Sequence, residues 1–308
     1  MNSNVSQQVA AAIRAMGNTF SPDVMKATCA LFAPLHQRAP RDGVVRHSDL
    51  AYGDDARHRL DVFTSGQRSS EPALVVVFIH GGGFVAGERS PVPDLINDNV
   101  PTFFARHGCV GVNATYRLAP QHRWPSGAQD VGRMVGWLRE HVADYGGDPE
   151  RIVLIGHSAG AAHAAAWTFL QALHGPAGPG IGGLVLLSGV YSVNHPEFHT
   201  GPPSPNQLAY YGADEAAWPG MATLGHVTPG HPPVFLGVAE YDPYPFAWPS
   251  AALYSELMRR DRRTSRMLTL AGHNHVSTTM MINSEVDTLG PELLDFVRSA
   301  VALAQTTA

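Results

Sequence analysis

The chain has 308 residues, 44% of them hydrophobic and 15% charged, and a formal net charge of −5. These values fit one large domain with a sizeable core, and they argue against wholesale disorder and against nucleic acid as a partner. Cys29 and Cys109 make neither a disulfide framework nor a metal-binding spacing, and Lys26, the only lysine, matches neither a Schiff-base nor a Walker context.

The N-terminus, MNSNVSQQVAAAIRAMGNTF, lacks a basic start followed by a long apolar stretch and does not read as a signal peptide. No run approaches the ~18 apolar residues of a membrane span. The expected location is therefore the cytoplasm, with no membrane partner. Val9, Ile13 and Met16, then Val24, Met25 and Leu31, carry helical spacing, and Ser21-Pro22 reads as the cap and first position of a second helix. DLAYG and HRLDVFTSG alternate like an antiparallel pair of strands. From Leu74 onward, strand and helix patterns alternate. Strands are expected at Leu74–Ile79, Cys109–Thr115, Arg151–Ile155, Leu184–Leu187, Val234–Val238 and Met267–Leu270. Helices are expected at Ala128–Val142, Ser158–Leu173, Ser250–Arg260 and Pro291–Leu303. The order predicts an α/β fold, a mostly parallel central sheet with helices on both faces. Residues 189–231, rich in Pro, Gly, Tyr and His, show no clear period and are expected to form a lid or pocket wall.

Chemistry concentrates at the ends of those strands. GHSAG follows a buried strand and opens a helix, the setting in which Ser158 becomes a nucleophile on a sharp turn. HGGGF, His80–Phe84, follows the LVVVFI strand, and its glycines let backbone N–H groups face a bound oxygen. Gly82, Gly83 and Ala159 are the expected oxyanion donors. An acid and a base should follow in that order. Asp242 in AEYDPYPF lies just past a strand, with Glu240 as the alternative. AGHNHVS offers His275 or His273 as the base. His273 and His275 alone make no metal site, for want of a third ligand. Phe84, Tyr244, Trp218 and Trp248 are candidate pocket residues, and Leu31 and Phe32 candidate caps of the site.

These stretches, with NATYRLAP, RWPSGAQDVGRMVGWL and GGDPERIVLIGHSAG, span roughly residues 45–300. Together they resemble the α/β-hydrolases, in the branch of hormone-sensitive-lipase-like esterases, small carboxylesterases and kynurenine formamidases. The resemblance implies an α/β-hydrolase fold. A single domain is expected over 1–308, with 1–43 as an N-terminal helical cap segment and 189–231 as the lid or pocket-wall insertion. It implies Ser158, Asp242 and His275 as the triad, a structural role for Asp130, and chemistry without metal or organic cofactor. The expected function is hydrolysis of small or aryl carboxylic esters. An arylformamidase-type amide hydrolase on the same triad is the alternative, and a non-catalytic binding protein is disfavoured because no triad member is lost.

Overall fold

Two helices lead the chain, α1 (Ser3–Met16) and α2 (Pro22–Gln37), and Ser21 caps the second by accepting the Val24 N–H at 3.3 Å. The elements that follow are β1 (Val44–Ala51), β2 (Arg59–Ser65), β3 (Ala73–Ile79), α3 (Asn99–Arg106), β4 (Val110–Ala114) and α4 (Ser126–His141). Next come β5 (Gly147–His157), α5 (Ala159–Phe169), α6 (Gln171–His174), β6 (Gly183–Leu187) and α7 (Pro205–Tyr211). The chain closes with β7 (Val234–Tyr241), α8 (Tyr244–Asp261), β8 (Arg266–Asn274), α9 (Ser277–Met280) and α10 (Gly290–Thr306). This is a computed structural model, and it describes residues 3–67, 70–92, 95–193 and 202–306. Part of the expected lid, residues 194–201, thus lies outside the described residues.

The strands form one eight-stranded sheet in the order β1-β2-β4-β3-β5-β6-β7-β8. β1 and β2 join antiparallel, β2 meets β4 antiparallel, and every later neighbour is parallel. Alternate residues of each central strand serve opposite faces. Val75, Val77 and Ile79 pack with α4, α5 and α8, whereas Leu74, Val76 and Phe78 pack with α1, α2, α3 and α10. A central strand buried on both faces therefore has no polar alternation to show, which is why LVVVFI reads as a continuous apolar run. A third cluster, built on Phe84, Ala159, Tyr210, Tyr211 and Trp218, joins the loop after β3 and the start of α5 to the segment around α7.

Boundaries differ from the sequence expectation where local breakers mislead. β8 continues through Gly272, which takes φ +75, to Asn274. α8 starts at Tyr244, six residues before the expected Ser250, and accommodates Pro249. The expected helix to Leu173 stops at Phe169, because Leu170 turns extended before α6 begins. α3 was not expected at all. Its NVPTFFAR segment carries Pro101 in the first turn and is buried almost all round, so no polar face marks it.

Asp130 of α4 is fully buried and accepts bonds from the Arg117 backbone N–H (2.9 Å), the Arg117 guanidinium (2.7 Å to Oδ1) and Arg133 (3.0 Å), with His58 at 3.0 Å. It ties the chain after β4 to the first turns of α4. No helix among the described residues is long and apolar enough to cross a membrane.

Candidate active site

The turn at Ser158 is steep. Ser158 takes φ 53, ψ −120, a left-handed conformation that a non-glycine residue adopts only when its surroundings hold it there. Three features hold it. The Ser158 N–H donates to the Leu187 carbonyl of β6 at 2.9 Å. A Cβ on Gly160 would lie 2.2 Å from the Ile79 carbonyl oxygen, so α5 touches β3 backbone to backbone. A Cβ on Gly156 would lie 2.5 Å from the Ala161 Cα, so strand and helix close on each other across the turn.

His275 Nε2 stands 2.9 Å from Ser158 Oγ, and His275 Nδ1 stands 2.8 Å from Asp242 Oδ1. All three residues are buried. The other Asp242 oxygen accepts from Ser188 Oγ (2.6 Å) and from the Ala239 N–H (2.7 Å). A carboxylate bonded in this way is fixed in place and accepts the Nδ1–H of His275. That sets the tautomer with Nε2 bare towards the serine.

Of the two acids, the structure brings Asp242 to the histidine. Glu240 is exposed and accepts the Gly272 N–H at 2.7 Å. Of the two histidines it brings His275. His273 faces the core beneath α2, with Nδ1 3.1 Å from Ser277 Oγ and its ring 6.3 Å from Phe32, and burial lowers its pKa to about 4. Gly272 is not the end of the strand, and His275 follows Asn274 directly.

The glycine loop passes against the serine: a Cβ on Gly81 would lie 3.0 Å from the Ser158 Cβ. Gly82 (φ +133), Gly83 (φ +58) and Phe84 (φ +72) are all left-handed, and the Gly82 carbonyl accepts from Ala86 at 3.0 Å. The N–H groups of Gly82, Gly83 and Ala159 take no acceptor among the described residues. Ala159 is also the first residue of α5, so its N–H belongs to the positive end of the helix dipole. His80 starts the loop. Its Nδ1–H donates to the Gly81 carbonyl at 2.6 Å, and its ring stacks on Tyr116 at 4.5 Å. Burial lowers its pKa to about 4, so it stays neutral.

The candidate pocket residues separate. Phe84 is buried and stacks on Tyr210 at 4.6 Å. Trp218 is fully buried and donates its indole N–H to the Gly212 carbonyl at 3.1 Å, so it backs the aromatic wall and offers no open surface. Tyr244 and Trp248 stack on each other along α8 and are exposed by 51% and 40%. Leu31 and Phe32 belong to the core beneath α2 and do not cap the histidine. The residue of the N-terminal segment that does reach it is Phe20, with ring centroids 4.9 Å apart.

Four further residues neighbour the site, none of them marked by the catalytic motifs as a functional position. Phe20 and Phe246 lie on the His275 ring. Ser188 follows a fully buried strand directly, a polar residue at the carboxyl end where such sheets bind ligands, and that position was the available clue. His157, the variable position of GHSAG, contacts the His275 carbonyl through Nε2 at 2.9 Å. A carbonyl only accepts, so Nε2 carries the hydrogen. Burial first, then His275, lowers the His157 pKa to about 3, which leaves it a neutral donor. Among the described residues there is no group of three or more His, Cys, Asp or Glu placed to hold a metal.

Residues 76–279 match the model of a family described as alpha/beta hydrolase fold. The chain belongs to that family, in its hormone-sensitive-lipase-like branch. It is similar to Esterase LipC of Mycobacterium tuberculosis, 34% identical over 155 residues, which cover 48% of this chain and 36% of that protein. It is also similar to Carboxylesterase NlhH of the same species, 31% identical over 205 residues, which cover 60% of each. The chain thus spans 36% and 60% of the length of these two relatives. The crystal structure of esterase B from Lactobacillus rhamnosis superposes with a TM-score of 0.74 at 20% identity, over 98% of this chain and 97% of that one. That likeness is one of fold.

Proposed function

We propose that this protein is a serine hydrolase that cleaves small or aryl carboxylic esters through an acyl-enzyme. The observation that carries the proposal is the unbroken line from Ser158 Oγ through His275 to Asp242, at 2.9 and 2.8 Å, with the serine on a left-handed turn at the head of a helix. In this reading His275 Nε2 takes the Ser158 proton as Oγ attacks the carbonyl carbon. The oxyanion settles against the N–H groups of Gly82, Gly83 and Ala159. Asp242 holds the imidazole and stabilises the imidazolium that forms. His275 then gives the proton to the leaving oxygen as the carbon–oxygen bond breaks, and water repeats the sequence to free Ser158. Only protein groups and water take part. The names of the similar proteins, esterase and carboxylesterase, support the same class.

In the same proposal 1–308 is one domain, 1–43 its helical cap segment and 189–231 its pocket wall. Phe84, backed by Trp218, lines the acyl side, and Tyr244 and Trp248 form the rim. We also propose a cytoplasmic location, which two free thiols support: Cys29 is half-buried, and burial pushes the Cys109 thiol up to about 11.

The test compares kcat/KM for p-nitrophenyl acetate, butyrate and palmitate and for N-formylkynurenine, with Ser158→Ala as control. Acetate or butyrate should lead, and Ser158→Ala should lower kcat by about 10⁴- to 10⁶-fold without unfolding the protein. A Ser158→Ala variant with a tenth of wild-type activity would refute the nucleophile. A palmitate optimum would refute the compact pocket, and N-formylkynurenine well above every ester would make this an amide hydrolase.

A further inference from the structure

The imidazole of His275 is enclosed by aromatic rings from two separate parts of the chain. Phe246 of α8 lies over it with centroids 4.0 Å apart and a tilt of 31°. Phe20, in the turn between α1 and α2, meets it edge-on at 4.9 Å and 72°, and meets Phe246 at 5.9 Å and 78°. Phe20 is 46% exposed while His275 is 3% exposed, so Phe20 stands between solvent and the imidazole.

The helices on both sides of the turn that carries Phe20 are pinned to the strand ends that precede the proposed acid and base. Arg14 Nε donates to the Tyr241 hydroxyl at 3.1 Å, next to Asp242. Asn274, next to His275, donates from Nδ2 to Thr28 Oγ1 at 2.9 Å. Phe20 lies in the N-terminal segment, outside residues 76–279, the stretch that matches the family model.

We propose that Phe20 and Phe246 form the leaving-group side of the site and select esters of aromatic alcohols. The inference rests on the serine-hydrolase reading above. In acylation the Ser158 Oγ–carbon bond forms, the carbon–alcohol oxygen bond breaks, and the proton from Ser158 passes through His275 Nε2 to the departing oxygen. That oxygen must come within hydrogen-bond reach of Nε2. Whatever group it carries therefore lies within a few ångströms of the imidazole, where the two phenyl rings are the wall. An aryl group meets them in edge-to-face or offset contact, which a small alkyl group cannot reproduce. The acyl group lies on the other side of the reacting carbon and is unaffected.

The experiment measures kcat/KM for phenyl acetate and 2,2,2-trifluoroethyl acetate in the wild type, Phe20→Leu, Phe20→Trp and Ser158→Ala. Both substrates pass through the same acetyl-enzyme, so a change in their ratio belongs to the step in which the alcohol leaves. Phe20→Leu should lower the phenyl acetate value about three- to tenfold and the trifluoroethyl acetate value less than about twofold, while Phe20→Trp keeps the wild-type ratio. Equal losses on both esters, or a Trp variant that behaves as Leu does, would overturn the selection and leave Phe20 as a support for His275. If the wild type turns over neither ester, or Ser158→Ala is as active as the wild type, the hydrolase reading itself fails and this proposal with it.

Discussion

At the scale of single residues, the candidate site is decided by which of two neighbours turns inward. Asp242 and Glu240 are two apart and would share a face if β7 ran on, but the strand ends at Tyr241. Asp242 then folds back so that one oxygen takes the Ala239 N–H while the other faces His275. Asp242→Asn should lower kcat by on the order of 10⁴-fold, because an amide can donate to Nδ1 and favours the wrong tautomer. Glu240→Gln, which keeps an oxygen to accept the Gly272 N–H in a half-buried bond and removes a charge that acts on Arg14, touches no atom of the triad and should leave kcat within about twofold of wild type. Steady-state kinetics on p-nitrophenyl acetate checks the pair, and greater damage from Glu240→Gln would reverse the assignment of the acid.

At the scale of elements, helical glycines are of two different kinds, and the junction of β3, β5 and α5 depends on one of them. Gly160 faces carbonyl oxygens of Ile79 and His80, at 2.2 and 2.4 Å from an added Cβ, and backbone atoms cannot rotate aside. Gly136 lies in the middle of α4, exposed, with nothing within 4 Å of an added Cβ. Gly160→Ala should therefore destabilise the protein by at least about 1–3 kcal/mol, the usual cost of overpacking, and should impair turnover by moving Ser158. Gly136→Ala should stabilise it by about 0.5–1 kcal/mol with activity unchanged, since alanine only restricts the unfolded chain. Denaturant melts of both variants beside the wild type measure the difference, and equal midpoints would contradict this account of α5 packing.

At the scale of the whole molecule, five buried histidines make stability depend on acidity. Burial is the first cause that lowers His157 and His163 to about 3, and His36, His80 and His273 to about 4. An unfolded histidine titrates near 6.5. Below that pH the unfolded chain binds protons that the folded chain refuses, so stability is full above about pH 6.5 and falls as pH drops towards 4, by up to about 1.4 kcal/mol per unit for each group in the limit. Asp287 acts in the opposite sense. Burial raises its carboxyl to about 6 from 3.8, so between those values the folded state holds the extra proton and gains as pH falls. One such group does not balance five. The thermal midpoint should drop steadily between pH 7 and pH 5, and a midpoint that is flat or rises over that range would mean these histidines are not buried neutral.

The sequence by itself determined the α/β alternation, the parallel order of events along the chain and the place of Ser158, because apolar runs and glycine-bounded turns are local patterns set by strand and helix periodicity. It also narrowed the acid and the base to two neighbours each. The family resemblance chose Asp242 and His275 between them, but the geometry that turns them inward is tertiary: β7 ends at Tyr241, and β8 resumes its pairing with β7 beyond Gly272, at Asn274, after a shift of register. Breakers such as Pro101 and Pro249 hid α3 and the first turns of α8, whose helicity is stabilised by packing more than by propensity. Nor did it determine that His157, Phe20 and Phe246 gather around the His275 residue, with Ser188 on the carboxylate behind it. Those contacts join segments separated by tens to hundreds of residues, and no spacing in one chain encodes them. Only the assembly of the sheet, with the N-terminal helices pinned at its β7–β8 edge, places Phe20 on His275.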